Sequence, residues 1–256
     1  MLDLSASDVW SAQYECIDLV RQLAIHHAPL LAGKIHVVIP VLREGAQSLR
    51  SAQCRNALLA LSEVYANCAK SELMFQVDLT VNEVLRKCVN DLRFISKTAN
   101  SSLAAMTNSI AGAEMFGALV RHSDNKNSKM CAAAAEGAFQ CLKKAGKARV
   151  ADFNAGPYLA RLNQFETGRS VQARRPAQAM MRFFAAALGK ERFEKCAGEA
   201  LSAADCARVC RIALKEKKKA RSRPGSVSLK EIMAQRRREK AAKQQQGGDL
   251  AVDFVG

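Results

Sequence analysis

The sequence predicts an all-α fold in which helix pairs stack side by side as an α-solenoid. Aromatic residues make up 5% of the 256 residues and proline occurs only 5 times, which disfavours sandwiches and barrels and favours helices. Apolar residues also recur at intervals of three and four, as they do on one face of a helix. The first such stripe consists of Val9, Cys16, Ile17, Val20 and Leu23.

An internal repeat is the third observation behind this prediction. Small residues in successive units align as one column: Cys16, Ala57, Ala99, Ala134 and Ala177. Successive members are 41, 42, 35 and 43 residues apart, and the residue four positions later is apolar in every unit. A period near 40 with two helices per unit is typical of HEAT-type repeats. The alternative is an irregular helical bundle.

The individual elements follow from this pattern. We expect residues 29–43 to form a helix kinked at Pro40, since a proline is poorly tolerated in a central strand. Further helices, from about residue 51 to residue 215, are separated by short polar breaks, the first at residues 45–50. We therefore assign residues 1–215 to the repeat domain.

The charge is concentrated in the C-terminal segment. The whole chain has a net charge of +15, and residues 215–256 contain 12 Lys/Arg and 5 Asp/Glu. We expect residues 216–256 to be a basic, largely disordered tail with one possible short helix. Such a charge suits anionic partners, namely nucleic acid, an acidic membrane surface or an acidic protein polymer.

Catalysis and metal binding are not expected. The chain lacks Walker, Rossmann, nucleophile-elbow and zinc-protease motifs. Its nine cysteines include no C-x-x-C pair, and we expect them to be buried, reduced thiols. It begins Met1-Leu2-Asp3 without the features of a signal peptide, and it has no run of about 18 apolar residues. We expect no enzyme activity, cofactor, metal or membrane span.

The turns within the helix pairs are the candidate binding residues. In a solenoid these turns fall on one edge, which is the usual binding face. The first turn is next to Trp10, the only tryptophan in the chain, and the later turns are rich in Arg and Lys. A tryptophan beside basic residues is a common binding composition, although such a tryptophan also often packs in a core.

Here the sequence resembles a TOG domain, most closely the CLASP and TOG-array (crescerin-like) branch, over about residues 7–215. The resemblance is carried by Trp10 with the following Cys16-Ile17-x-Leu19-Val20, by Ser48-Leu49-Arg50-Ser51, and by Arg93-Phe94-Ile95-Ser96. It implies a paddle of about six HEAT units whose turns bind α/β-tubulin, as free dimers or in the microtubule lattice.

The same resemblance implies which residues contact tubulin. By residue match they are Trp10, Leu49, Arg50, Arg93, Lys126, Lys129, Arg169 and Arg174. The earlier turns would contact β-tubulin and the later ones would reach towards α-tubulin. The chain departs from the family in having only residues 1–7 where a full helix usually precedes the first-loop tryptophan. It also has the apolar Leu49 and Leu92 where basic residues are usual.

Two functions remain open from the sequence. The first is a non-enzymatic microtubule-binding protein of the cytoplasm and cytoskeleton, with a cilium or flagellar axoneme as the suggested site, assisted electrostatically by the tail. Other cytoskeletal or ciliary proteins are further candidate partners, whereas nucleic acid is not the expected one. The second is a HEAT scaffold that binds another protein or complex, with a tail that targets it or contacts RNA.

Overall fold

The protein is helical throughout the range that its structure, a computed structural model, describes. This range covers the backbone of residues 6–214 and the side chains of residues 10–214, and no β-strand occurs in it. The α-helices are α1 Ala6–His26, α2 Ile35–Gln47, α3 Ser51–Asn67, α4 Lys70–Leu73, α5 Val77–Cys88, α6 Arg93–Ser109, α7 Ala113–Val120, α8 Ser128–Ala151, α9 Ala155–Thr167, α10 Val171–Leu188, α11 Lys190–Ala200 and α12 Ala203–Leu214. Short 3-10 turns occupy Ala28–Leu31, Met74–Gln76 and Arg121–Asp124.

The helices form two packed layers, which we name A and B. Layer B consists of α1, α3, α6, α8, α10 and α12, each packed against the next. Layer A consists of α2, α5, α7, α9 and α11, which cover layer B in the same order. Side-by-side stacking of helix pairs is the defining feature of an α-solenoid. The predicted all-α HEAT-type architecture is therefore confirmed.

Small residues hold layer B together. The seventh residue of four layer-B helices is an alanine with 0% exposure: Ala57, Ala99, Ala134 and Ala177. Because alanine has only a methyl side chain, neighbouring helices approach closely there. These four members of the predicted column are confirmed as core positions.

The prediction that Cys16 is the first member of this column was wrong. Cys16 is exposed, whereas the next residue, Ile17, is 2% exposed and packs in the core. The side chains of Gln13 and Gln53, which are joined by a 2.9 Å hydrogen bond, set the pairing of α1 with α3 at a separation of 40 residues. The observed separation of 40 residues is one less than the predicted 41, and one residue corresponds to a rotation of about 100° around the helix axis. Ile17 therefore takes the core position and Cys16 faces the surface.

The predicted helix over residues 29–43 also needs correction. Pro29 lies in a 3-10 turn, and α2 begins only at Ile35. Gly33 separates the two with φ of 71°, a value that favours glycine. Pro40 lies inside α2 as expected, but the helix continues to Gln47, past the predicted break at residue 45.

Gly45 explains why α2 passes through that predicted break. It is buried in the helix, and a Cβ atom there would lie 2.8 Å from Ile17 Cδ1 and 3.1 Å from Ala57 Cβ. The glycine thus permits close approach of α2 to α1 and α3 and does not form a turn. Helix α8 is interrupted at Gly146, where φ is 80°.

The described helices, residues 6–214, belong to one compact unit. The predicted basic tail, residues 216–256, lies outside the described residues. The boundary after residue 215 and the short tail helix stay predictions.

Candidate functional site

The candidate site is the edge where layer-A helices end and layer-B helices begin, which we call the loop edge. It comprises the N-terminal turns of layer B and the connectors 48–50, 89–92, 125–127, 168–170 and 201–202. Bonds between neighbouring units align these connectors. Ser170 Oγ donates to the Ser128 carbonyl at 2.9 Å, and Ser123 Oγ donates to Gln164 Oε1 at 2.7 Å.

Trp10 and Arg50 are in direct contact at the start of this edge. The guanidinium carbon of Arg50 lies 4.9 Å from the centroid of the indole ring, which is a cation–π geometry. Tyr14 meets the same indole edge-on at 6.4 Å. Trp10 is half-buried by these neighbours and keeps part of its ring at the surface. Two residues that the sequence predicted separately therefore form one pair.

Leu49 is the most prominent apolar side chain of the loop edge. Its relative exposure is 103%, and it borders a groove of about 420 Å³ with Gln13 and Val41. The connector behind it is well ordered by polar bonds. Ser48 Oγ accepts from the Arg50 amide at 3.2 Å and donates to Gln53 Oε1 at 3.0 Å. The connector thus fixes the position of an apolar side chain that is fully exposed to water.

The third connector presents Arg93 together with two apolar residues. Leu92 is 50% exposed and Phe94 is 46% exposed. Asn90 Oδ1 accepts from the Leu92 amide at 2.9 Å and shapes the turn. Arg93 is the first residue of α6, whereas Arg50 is the residue before α3. The two arginines therefore occupy different places in their repeats.

The later connectors are basic. Lys126 and Arg169 line one cleft of about 480 Å³. Lys129 lines a different cleft with Asp91 of the preceding connector. Arg174 donates from Nη2 to the Gly168 carbonyl at 3.3 Å. The structure therefore brings two of the predicted lysines and arginines together and separates the other two.

The helices that begin at the loop edge differ in whether a side chain caps their N-terminus. In α8 the Asn127 side chain accepts from the amides of Lys129 and Met130, at 3.0 and 3.2 Å. The residues before α3 and α6, Arg50 and Leu92, make no such bond. The first-turn N–H groups of α3 and α6 therefore lack a side-chain acceptor, and helix N-termini carry partial positive charge.

The basic side chains of the loop edge are not neutralised by carboxylates within the described part of the chain. The ion pairs found there are Arg21–Asp18, Arg121–Asp78, Arg161–Asp124 and Arg208–Asp205. None of them includes a basic residue predicted to bind. Their positive charge remains available to an anionic partner.

The sequence analysis missed residues that extend this surface onto layer B. Arg55 and Lys97 are exposed at the fifth position of α3 and α6. Their equal position in successive repeats is the signal in the sequence that identifies them, although they lie outside the turns. Leu92 and Phe94 were recognised as turn residues without being included among the contacts.

The prediction of buried thiols is correct for part of the cysteines only: Cys54, Cys88, Cys131 and Cys141 are buried, whereas Cys16 is exposed and the others are partly buried. Burial raises the pKa of the Cys88 thiol to about 12 and that of Cys141 to about 11. Such thiols stay protonated at neutral pH and are poor nucleophiles and ligands. Among residues 10–214, no group of three or more His, Cys, Asp or Glu side chains is placed to hold a metal ion. None of the described helices is long and apolar enough to cross a membrane.

Comparison with known proteins gives partial matches. No protein-family model matches the chain. Solved structures that resemble it include an engineered protein and two designed armadillo repeat proteins, at 12–14% identity over 82–83% of this chain and 92–95% of theirs. Their TM-scores are only 0.36–0.39, so the fold assignment rests on the helix packing described above.

The curated relatives are more informative. A segment of 119 residues, 46% of this chain, is 29% identical to TOG array regulator of axonemal microtubules protein 1 from Homo sapiens, and equally to that of Mus musculus. The matched segment spans 7% of each relative's length. The chain is thus similar to TOG-array proteins over nearly half of its residues, which confirms the resemblance that its turn motifs indicated.

Proposed function

We propose that this chain is a microtubule-associated protein that binds α/β-tubulin, free or in the lattice, with its loop edge. The observation that carries the proposal is the Trp10–Arg50 pair at the head of one continuous edge, followed by the exposed Leu49. The name of the similar proteins, regulators of axonemal microtubules, supports the same class of partner.

The chemistry of the edge suits a strongly acidic filament. The half-buried Trp10 and the fully exposed Leu49 supply apolar contact area, and tryptophan and arginine are enriched among the residues that dominate interface binding energy. Arg93, Lys126, Lys129, Arg169 and Arg174 add positive charge, which steers association with an acidic partner. We assign the first connectors to β-tubulin and the later ones to the direction of α-tubulin.

The role is non-enzymatic, and the proposed location is the microtubule cytoskeleton, including the axoneme of a cilium or flagellum. The basic tail, residues 216–256, would add a second electrostatic contact with the acidic microtubule surface. A contact of that kind weakens steeply as salt rises, whereas the apolar contacts of the loop edge do not.

Microtubule co-sedimentation of Trp10→Glu tests the proposal. We expect the apparent Kd to rise at least about ten-fold, because the charge removes the indole contact and the pairing with Arg50. Leu49→Glu, at a fully exposed position, should act in the same direction without disturbing the fold. Phe75→Glu is the matched control, since Phe75 is 89% exposed in a connector at the opposite edge.

Circular dichroism would verify that all variants keep their helicity. Equal binding by wild type, Trp10→Glu and Leu49→Glu would refute the loop-edge mechanism. Binding that is lost on deletion of 216–256 yet unaffected by either edge variant would instead favour the scaffold with a partner-contacting tail.

A further inference from the structure

A groove between α3 and α6 lies on the surface of layer B, beside the loop edge. Its volume is about 630 Å³. Helix α3 contributes Ser51, Arg55 and Leu59, and helix α6 contributes Phe94, Lys97 and Ser101. Trp10 and Leu49 do not line it. The groove thus adjoins the loop edge, with which it shares Ser51 and Phe94, but it does not contain the principal contacts Trp10 and Leu49.

The sequence places these side chains there by helical spacing. Ser51, Arg55 and Leu59 are four residues apart and share one face of α3. Lys97 and Ser101 share one face of α6 in the same way. Arg55 and Lys97 are both the fifth residue of their helices, so the stacked repeat places one cation on each wall.

The two cations face no compensating carboxylate. Both are exposed, neither takes part in an ion pair among the described residues, and no acidic residue lines the groove. Phe94, 46% exposed, and the half-buried Leu59 provide apolar surface between the basic walls. Cations flanking an apolar strip complement an acidic chain that carries an apolar side chain.

We propose that the α3–α6 groove binds an acidic peptide segment, rich in Glu or Asp, with one apolar residue seated against Leu59 and Phe94. The groove follows the furrow between two directly packed helices, α3 and α6, and such a furrow matches a single extended chain lying along it. A nucleic acid would need cationic contacts with many phosphates, whereas this groove supplies two. A peptide is therefore the better fit.

The test is an NMR titration of the full-length ¹⁵N-labelled chain with the peptide Ac-EEEFEE-amide. We expect the largest amide shift changes at Arg55, Lys97 and Ser101. The uncharged peptide Ac-QQQFQQ-amide should cause no comparable change, because it lacks the carboxylates that the two cations attract.

Variants sharpen the result. Arg55→Glu and Lys97→Glu should each weaken peptide binding at this site by about ten-fold, and Phe94→Ala by about three-fold. Arg192→Glu makes the same charge change at an exposed position of α11 and should leave binding unchanged. Trp10→Glu should also bind normally, which separates this inference from the proposed microtubule function.

Three outcomes would overturn the proposal. The first is an unchanged affinity in the double variant Arg55→Glu/Lys97→Glu. The second is a set of shifts confined to residues outside the groove. The third is stronger binding of oligouridylate than of the acidic peptide at the same amides, which would assign the groove to nucleic acid.

Discussion

The N-terminal and C-terminal halves of the solenoid share one frame but present different loop edges. In the first half, α1–α6, the edge is aromatic and apolar around Trp10, Leu49 and Leu92. In the second half, α7–α12, it is mainly basic, with Lys126 and Arg169 in one cleft. The comparison shows that the buried alanines determine how the helices pack, so the connectors can vary in sequence without changing the fold.

The cores of the two halves differ as well. The residue seven positions after each of the four buried alanines is also fully buried. These residues are Val64, Met106, Cys141 and Phe184. In the second half Phe184 joins a cluster with Phe116, Phe153 and Tyr158, whose ring centroids are 4.9–6.4 Å apart. Aromatic packing of this kind contributes beyond the area it buries. The second half should therefore depend more on single side chains.

The largest expected effect is a loss of stability when the aromatic cluster in the core of the second half is disrupted. Phe184→Ala should lower the free energy of unfolding by about 3–5 kcal/mol, because it removes a ring from the cluster and leaves a cavity. Val64→Ala, at the equivalent place in the first half, should cost only about 2 kcal/mol. Urea unfolding followed by circular dichroism measures both. Equal losses would mean that the halves do not differ in core packing.

The next largest effect distinguishes the two halves of the loop edge by the salt dependence of their binding. The double variant Lys126→Glu/Arg169→Glu should weaken microtubule co-sedimentation about ten-fold at low ionic strength, and much less when the Debye length is about 3 Å. Leu49→Ser should weaken it by a similar factor at both salt concentrations, since its contact is apolar. If binding by the two variants depended on salt concentration in the same way, the halves of the loop edge would not differ in their mode of contact.

The smallest effect concerns capping. Asn127→Ala should destabilise the protein by about 1 kcal/mol, because two α8 amides lose their acceptor. Leu92→Asn places a capping side chain before α6, which has none, and should stabilise by up to about 1 kcal/mol. Thermal unfolding compares the two. A loss of stability in Leu92→Asn would show that the exposed leucine supports the fold.

Much of this architecture was predictable because small residues recur at fixed intervals. The alanine column and the order of the connectors follow from sequence spacing alone. The start of the column did not, because Cys16 and Ile17 are adjacent and both apolar, and only packing against α3 selects between them. The C-terminal end of α2 lies beyond its predicted position because Gly45 stays in the helix and permits close contact with Ile17 and Ala57.

The site was predictable in outline only. Trp10 and Arg50 were each identifiable, but their stacking arises from the pairing of α1 with α3 and is not a local property. The groove cations Arg55 and Lys97 lie one turn inside their helices, where they resemble ordinary solvated charges. Only the contact between α3 and α6 brings them into one groove.

The central claim is that the loop edge is the microtubule-binding surface, and hydrogen–deuterium exchange with and without stabilised microtubules tests it most directly. We predict slower exchange for the first turns of α1, α3 and α6 and for the connectors 125–127 and 168–170. The opposite edge, including Met74–Gln76, should be unchanged. Protection of Met74–Gln76 while the loop edge exchanges as in the free protein would contradict the account.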